Sequence, residues 1–238
     1  MPRPTIPLDE LIAYLFGADR SVLAADVGAR LVASPRFRAF AEAYRDKIRK
    51  KARGLRDDEG RRDLTFELTI ASHLLEERRF ALEYESYGAS QRAPDFRVTF
   101  RSTLRFNVEV RRLRGPASAF GPPSDAARLI RVICDKLGQL PPAMINVLVL
   151  GAGGQSTSDP LAPAMLWLQE RAAQRDELLF KERGFAGTRD FLRHYQRLSG
   201  ALWVVGEPDA QRATVWRNPQ ARHPLAAPLA TALRKSVT

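Results

Sequence analysis

The stretch INVLVL, residues 145–150, constrains the fold more than any other. It has no alternating polar face, the pattern of a strand buried on both sides of a sheet, and such a strand needs a layer packed above and below it. Three strand candidates precede it, at 80–87, 95–101 and 104–113, with GASQRAP (88–94) breaking the first two apart. Before them, Asp63 to Arg79 reads as a helix. Leu64, Leu68, Ala71 and Leu75 fall within one narrow arc at helical spacing, and Leu74 lies at its edge. After them, a Gly/Pro-rich loop (115–123) leads to Ser124-Asp125, which can cap a helix running to about Leu140. Helix, three strands, helix and strand in that order argue for an α/β fold with a mixed central sheet flanked by helices.

The flanks are mostly helical. Residues 8–16 and 21–32 read as two helices, and Ser34-Pro35 opens a third that carries Phe37, Phe40, Ala41, Tyr44 and Ile48 on one stripe. Its tail, RDKIRKKARGLR, is densely basic, which suits either a solvated face or a phosphate-contacting arm. Residues 1–60 are thus expected to form an N-terminal helical extension packed on a 61–238 α/β domain. Beyond 151 come helices near 161–182 and 188–198, strands at 201–207 and 213–217, and a closing helix at 225–235. GAGG (151–154) is followed by neither Gly-Lys-Ser/Thr nor a GxGxxG pattern, so it is read as a turn.

Charge limits the partners. A formal +11 and a pI near 10.5 suit a polyanion, most simply nucleic acid, because cationic side chains release condensed counterions on binding. Only six of the 38 basic residues are Lys, so part of the excess can reflect a general bias toward Arg. No apolar run approaches the ~20 residues needed to span a bilayer, so no membrane role is expected. The N-terminus lacks a signal peptide's apolar region, and the expectation is a cytoplasmic protein. One cysteine, Cys134, excludes an intramolecular disulfide and a cysteine-based zinc site. Three scattered histidines give no zinc spacing.

The chemistry lies in PDFRVTFRSTLRFNVEVRRLR (94–114). On a strand, residues two apart share a face, so Asn107, Glu109 and Arg111 project together, opposite Phe106, Val108 and Val110. If the hairpin closes through an odd-numbered loop centred on Ser102, Asp95 lies opposite Glu109. A two-residue turn would put the two acids on different faces. Opposed carboxylates repel unless a cation sits between them, and hard oxygen ligands select Mg²⁺ or Mn²⁺. Glu67 lies inside the apolar sector of its helix, where an acid reaches water at the stripe edge, is paired, or holds a cation.

The pattern E…PDF…NVEVR resembles the core of the PD-(D/E)XK, or restriction-endonuclease-like, nuclease superfamily over about residues 63–150. The resemblance matches Glu67 to the family's helix acid, Pro94-Asp95 to its Pro-Asp step and Glu109 to its second acid. It implies a restriction-endonuclease-like core and a metal-dependent nuclease that hydrolyses phosphodiester bonds of DNA, with Asp95, Glu109 and Glu67 at the metal. It also leaves a homodimer open. One position departs from the pattern: the family's lysine should stand at 111, where this chain has Arg. Arginine can grip phosphate bidentately, but its pKa above ~12 makes it a poor proton-transfer group. Lys136, near the centre of the apolar face of the next helix, either snorkels to water or reaches the site in its stead, with Gln139 one turn along. Arg111 also favours an alternative: a catalytically impaired nuclease-fold protein acting as a nucleic-acid-binding or assembly module.

Overall fold

The computed structural model describes residues 6–17, 21–85, 94–114, 125–152, 159–206 and 212–237. Four helices lead the chain: α1 (Leu8–Phe16), α2 (Val22–Ala33), α3 (Pro35–Ala43) and α4 (Arg45–Arg53). Ser34 caps α3 by accepting a hydrogen bond from the Phe37 N–H at 3.2 Å, with Pro35 at the first helical position. The single helix expected from Pro35 onward is two, broken at Tyr44, whose φ of −113° and ψ of 19° leave the helical region. α5 (Asp58–Glu76) begins five residues before Asp63, because the Asp57 carboxylate accepts the Gly60 N–H at 2.7 Å. No apolar periodicity marks that highly charged first turn.

The strands are β1 (Phe80–Tyr84), β2 (Phe96–Phe100), β3 (Leu104–Leu113), β4 (Ile145–Ala152), β5 (Gly200–Val205) and β6 (Arg212–Arg217). They form one mixed sheet in the order β1-β2-β3-β4-β5-β6. The β3–β4 and β4–β5 pairs are parallel and the other three antiparallel. The remaining helices are α6 (Asp125–Leu137), α7 (Leu161–Ala173), α8 (Glu177–Glu182), α9 (Thr188–Tyr195) and α10 (Ala227–Val237). The helix expected over 161–182 is divided into α7 and α8 near Arg175, which takes a positive φ of 55°. Residues 58–152 therefore run helix, three strands, helix, strand, the order read from the sequence.

INVLVL opens β4 and is covered on both faces. Val147 and Val149 join a core with α5, the N-terminal helices and α10, while Leu148 and Leu150 join a second core with α6, α7, α8 and α9. The protein is thus α/β, with helices on both sides of a mixed sheet. Leu11, Leu23, Phe37 and Ile48 from α1 to α4 belong to the same core as the sheet residues Tyr84, Phe96 and Val108. No helix among the described residues is long and apolar enough to cross a membrane.

The first two residues of GAGG are not a turn. Gly151 and Ala152 continue β4, while 153–158 lie outside the described residues, as do 86–93 and the loop at 115–123. Glycine at 151 has a packing reason: a Cβ there would come within 2.3–2.8 Å of the Phe66 ring of α5. Replacing Gly151 with Ala is expected to destabilise the protein by about 1–3 kcal/mol through overpacking. Gly138→Ala, where an added Cβ meets nothing within 4 Å, should stay within about 0.5 kcal/mol of wild type. Urea denaturation of both variants checks the contrast.

Candidate functional site

The β2–β3 hairpin decides which acids meet. Phe100 pairs with Leu104 and Phe96 with Val108, so the loop is the three residues Arg101, Ser102 and Thr103. Arg101 and Ser102 both take left-handed φ values, 51° and 63°. This is the odd-numbered loop centred on Ser102, and continuing its register by one step brings Asp95 opposite Glu109. The paired ladder ends at Phe96–Val108, two residues short of Val110. The Asp95 carboxylate takes over there, with Oδ2 accepting the Val110 N–H at 2.8 Å.

Six charged side chains then alternate in sign across this end of the sheet. Glu67 on α5 accepts two hydrogen bonds from Lys51 Nζ, at 2.7 and 2.8 Å. Lys51 Nζ lies 3.8 Å from Asp95, and Asp95 lies 3.5 Å from Arg111 Nη1. Arg111 Nη2 is 2.6 Å from Glu109 Oε1, which is also 3.1 Å from Lys136 Nζ. Glu85 joins at the first end, 3.4 Å from Lys51. The acids lie deep, with side chains 6%, 8% and 7% exposed for Glu67, Asp95 and Glu109, whereas Lys51 and Arg111 are 32% and 37% exposed. The acids therefore form the floor and these two cations the lip.

Burial, reinforced by the negative charge of Asp95, pushes Glu67 up to about 7, against Lys51 and the hydroxyl of Tyr84, which donates to Oε1 at 2.7 Å. Burial pulls the Lys51 ammonium down, but Glu67, Asp95 and Glu85 together outweigh it and hold it above its ordinary value. Glu109 is raised by burial and then by Asp95, with Arg111 and Lys136 opposing. Such a row holds because each acid has a cation beside it; removing Lys51 would take from the buried Glu67 carboxylate the cation that compensates it.

The site opens into a cavity of about 790 Å³. Lys51, Glu67, Asp95, Arg111 and Lys136 line it, as do Arg112, Arg114, Arg128 and Arg131. Arg112 is tied to Glu59 and Asp63, and Arg114 to Asp63. Glu109 lies behind Arg111 and Lys136. Lys136 does reach the site from α6, and its Nζ also donates to Gln139 Oε1 at 3.1 Å, so Gln139 steadies the lysine.

The expected trio of acid ligands is not assembled. Among the described residues no group of three or more His, Cys, Asp or Glu is arranged to hold a metal ion. Asp95 and Glu109 share Arg111, while Glu67 and Asp95 share Lys51, with Glu67 also bound to Tyr84. What does converge is an all-oxygen set around the Arg111 guanidinium: Asp95 Oδ2, Glu109 Oε1 and the Val110 carbonyl, which accepts from Nη1 at 2.8 Å. Two carboxylates and a carbonyl are hard donors, and Mg²⁺ commonly binds through one or two carboxylates with water completing its shell. The donor set fits such an ion.

Lys51 is the site residue that reading the basic tail as a solvated face or a phosphate arm missed. The signal was present, since Tyr44, Ile48 and Lys51 follow one another at spacings of four and three, which continues the buried stripe. Lys47, one turn before Lys51, donates to the Tyr84 and Glu85 carbonyls, both at 2.8 Å, and ties α4 to the end of β1.

No family model matches the chain, and no curated protein or solved structure matches it.

The raised Glu67 has a consequence for stability. The unfolded chain ionises this group near 4.5 and the folded protein only near 7, so folding loses up to about 3 kcal/mol as pH rises through that window. Glu67→Gln removes this term. The stability of wild type relative to Glu67→Gln should fall by that amount between pH 4.5 and 7.5, measured by urea denaturation at each pH. A constant difference would mean that Glu67 is ionised throughout.

Proposed function

We propose that the protein is a metal-dependent nuclease that hydrolyses phosphodiester bonds of DNA. The observation that carries this reading is the convergence of Asp95, Glu109 and the Val110 carbonyl on one cation, Arg111, which with Asp95 lines a cavity rich in basic side chains. The order of elements over 58–152 is that of a restriction-endonuclease-like core, which supports the same reading.

Asp95 and Glu109 would hold Mg²⁺ or Mn²⁺. Such an ion, when bound, polarises a scissile phosphate and lowers the pKa of an attacking water. Arg111 contacts a non-bridging phosphate oxygen, for which a guanidinium is suited. Lys136, fixed by Gln139 and Glu109, orients the attacking water. Glu67 assists from beyond Lys51 by keeping the local charge balanced. The arginines on the cavity wall supply a sequence-independent hold on the phosphate backbone. Its strength should fall steeply with salt.

The test is cleavage of plasmid and single-stranded DNA with Mg²⁺ or Mn²⁺, comparing wild type with Asp95→Asn and Glu109→Gln. Each near-isosteric change is expected to lower the rate by at least about 100-fold while circular dichroism shows the fold retained. Equal cleavage by all three proteins would sink the reading.

A second reading has one specific observation in its favour, the seat of Arg111 itself. A guanidinium that permanently fills the oxygen set describes a nuclease-fold module that binds nucleic acid without cutting it. That reading predicts salt-dependent DNA binding, no cleavage, and no divalent-ion binding.

A further inference from the structure

We propose that Arg111 is an exchangeable plug: its guanidinium and a divalent cation compete for the same three oxygens, so that cation binding releases Arg111 to a phosphate of the nucleic acid. Cation and phosphodiester binding are then coupled through one side chain. The inference rests on the metal-dependent reading above and names how that site is regulated.

The geometry puts all three contacts on one planar group. Nη1 lies 2.8 Å from the Val110 carbonyl and 3.5 Å from Asp95, and Nη2 lies 2.6 Å from Glu109. These oxygens come from both arms of the hairpin, and a forked guanidinium matches their spread, with one nitrogen toward each carboxylate. A lysine at 111 would contact one or the other. The plug is held unevenly, close to Glu109 and loosely to Asp95. Its side chain is 37% exposed while both carboxylates are under a tenth exposed, and it lines the cavity beside Asp95 with Glu109 behind it.

Deprotonation does not release it, because a guanidinium stays charged throughout the accessible pH range. Exchange remains: a cation for the carboxylates and an anion for the guanidinium. Both replacements fit the surroundings. Once Arg111 leaves, Glu109 keeps Lys136 at 3.1 Å and Asp95 keeps Lys51 at 3.8 Å, so neither acid loses all compensation. The freed guanidinium opens onto the same cavity wall as Arg114, Arg128 and Arg131, where a phosphate backbone would lie. Linkage makes the effect reciprocal: whatever factor the cation adds to nucleic-acid affinity, nucleic acid adds to cation affinity.

The experiment measures Mn²⁺ binding by electron paramagnetic resonance, without substrate, in wild type, Arg111→Met, Arg111→Lys and Arg131→Met. Removing the plug is expected to tighten Mn²⁺ binding about tenfold or more, in the usual range of coupling effects. Arg111→Lys, which keeps the charge and guards against a folding defect in the Met variant, should fall in between. Arg131→Met removes an equal charge from the same cavity without touching the carboxylates, and should leave Mn²⁺ affinity near wild type. In a second arm, fluorescence anisotropy follows a phosphorothioate oligonucleotide with and without Mn²⁺. Wild type should bind it several-fold more tightly with the ion, and Arg111→Met should lose that gain.

If wild type binds Mn²⁺ and Arg111→Met binds it no more tightly, the plug is wrong while the metal site stands. Equal tightening in Arg131→Met would reduce the effect to bulk charge and overturn the inference. An unchanged gain for the oligonucleotide in Arg111→Met would overturn the phosphate half. Absence of Mn²⁺ binding in every variant overturns both this inference and the metal-dependent reading, in favour of a module that binds without cutting.

Discussion

Everything at this site depends on the three-residue turn at Arg101–Thr103. Two of its residues adopt left-handed backbone without being glycine, at a cost of roughly 1–2 kcal/mol each. The Arg101 N–H is anchored on the Arg79 carbonyl at 2.9 Å and the Thr103 N–H on the Phe100 carbonyl at 3.3 Å. The turn fixes the pairing of β2 with β3, and pairing has a period of two. A one-residue slip would carry Phe96, Val98 and Phe100 out of the core and turn Asp95 away from Glu109. The burial of those three side chains therefore holds two acids in opposition that would otherwise repel.

The opposition is tolerated because cations arrive from three different elements. Lys51 comes from α4, Arg111 from β3 itself and Lys136 from α6, so the row of charges ties both helical layers to the end of the sheet. Buried ion pairs seldom add much net stability, since desolvation offsets most of the attraction. A structural role alone is then a poor reason to keep six partly buried charges together. A site that must present charge to a ligand is a better one.

Arg111 is where the two functional readings part, and the position is informative for the same reason. Lysine would make one strong contact and leave the second carboxylate to another cation. Arginine at 111 reaches both carboxylates and the Val110 carbonyl. It fills the space between the two acids, which is the basis of the exchange proposed above.

Much of the fold was legible in the sequence because its signals are local. The two-residue period of 96–100 and 104–113, the unalternating INVLVL and the stripe of α5 each report the face a residue turns to the core. Glu67, Asp95, Glu109, Arg111 and Lys136 were singled out from strand and helix faces together with the motif resemblance; four of them line one cavity and Glu109 adjoins it. What escaped has a non-local cause. Helix breaks at Tyr44 and near Arg175, and the early start of α5 at a charged turn, are set by packing and capping partners that no periodicity records. The sequence alone determined which residues of one strand or one helix share a face, because parity along a strand and angle around a helix are intrinsic to the backbone. Only the tertiary structure decided which charges would touch: it brought Lys51 from another helix between Glu67 and Asp95, and seated Arg111 between Asp95 and Glu109, since those distances depend on how separate elements pack.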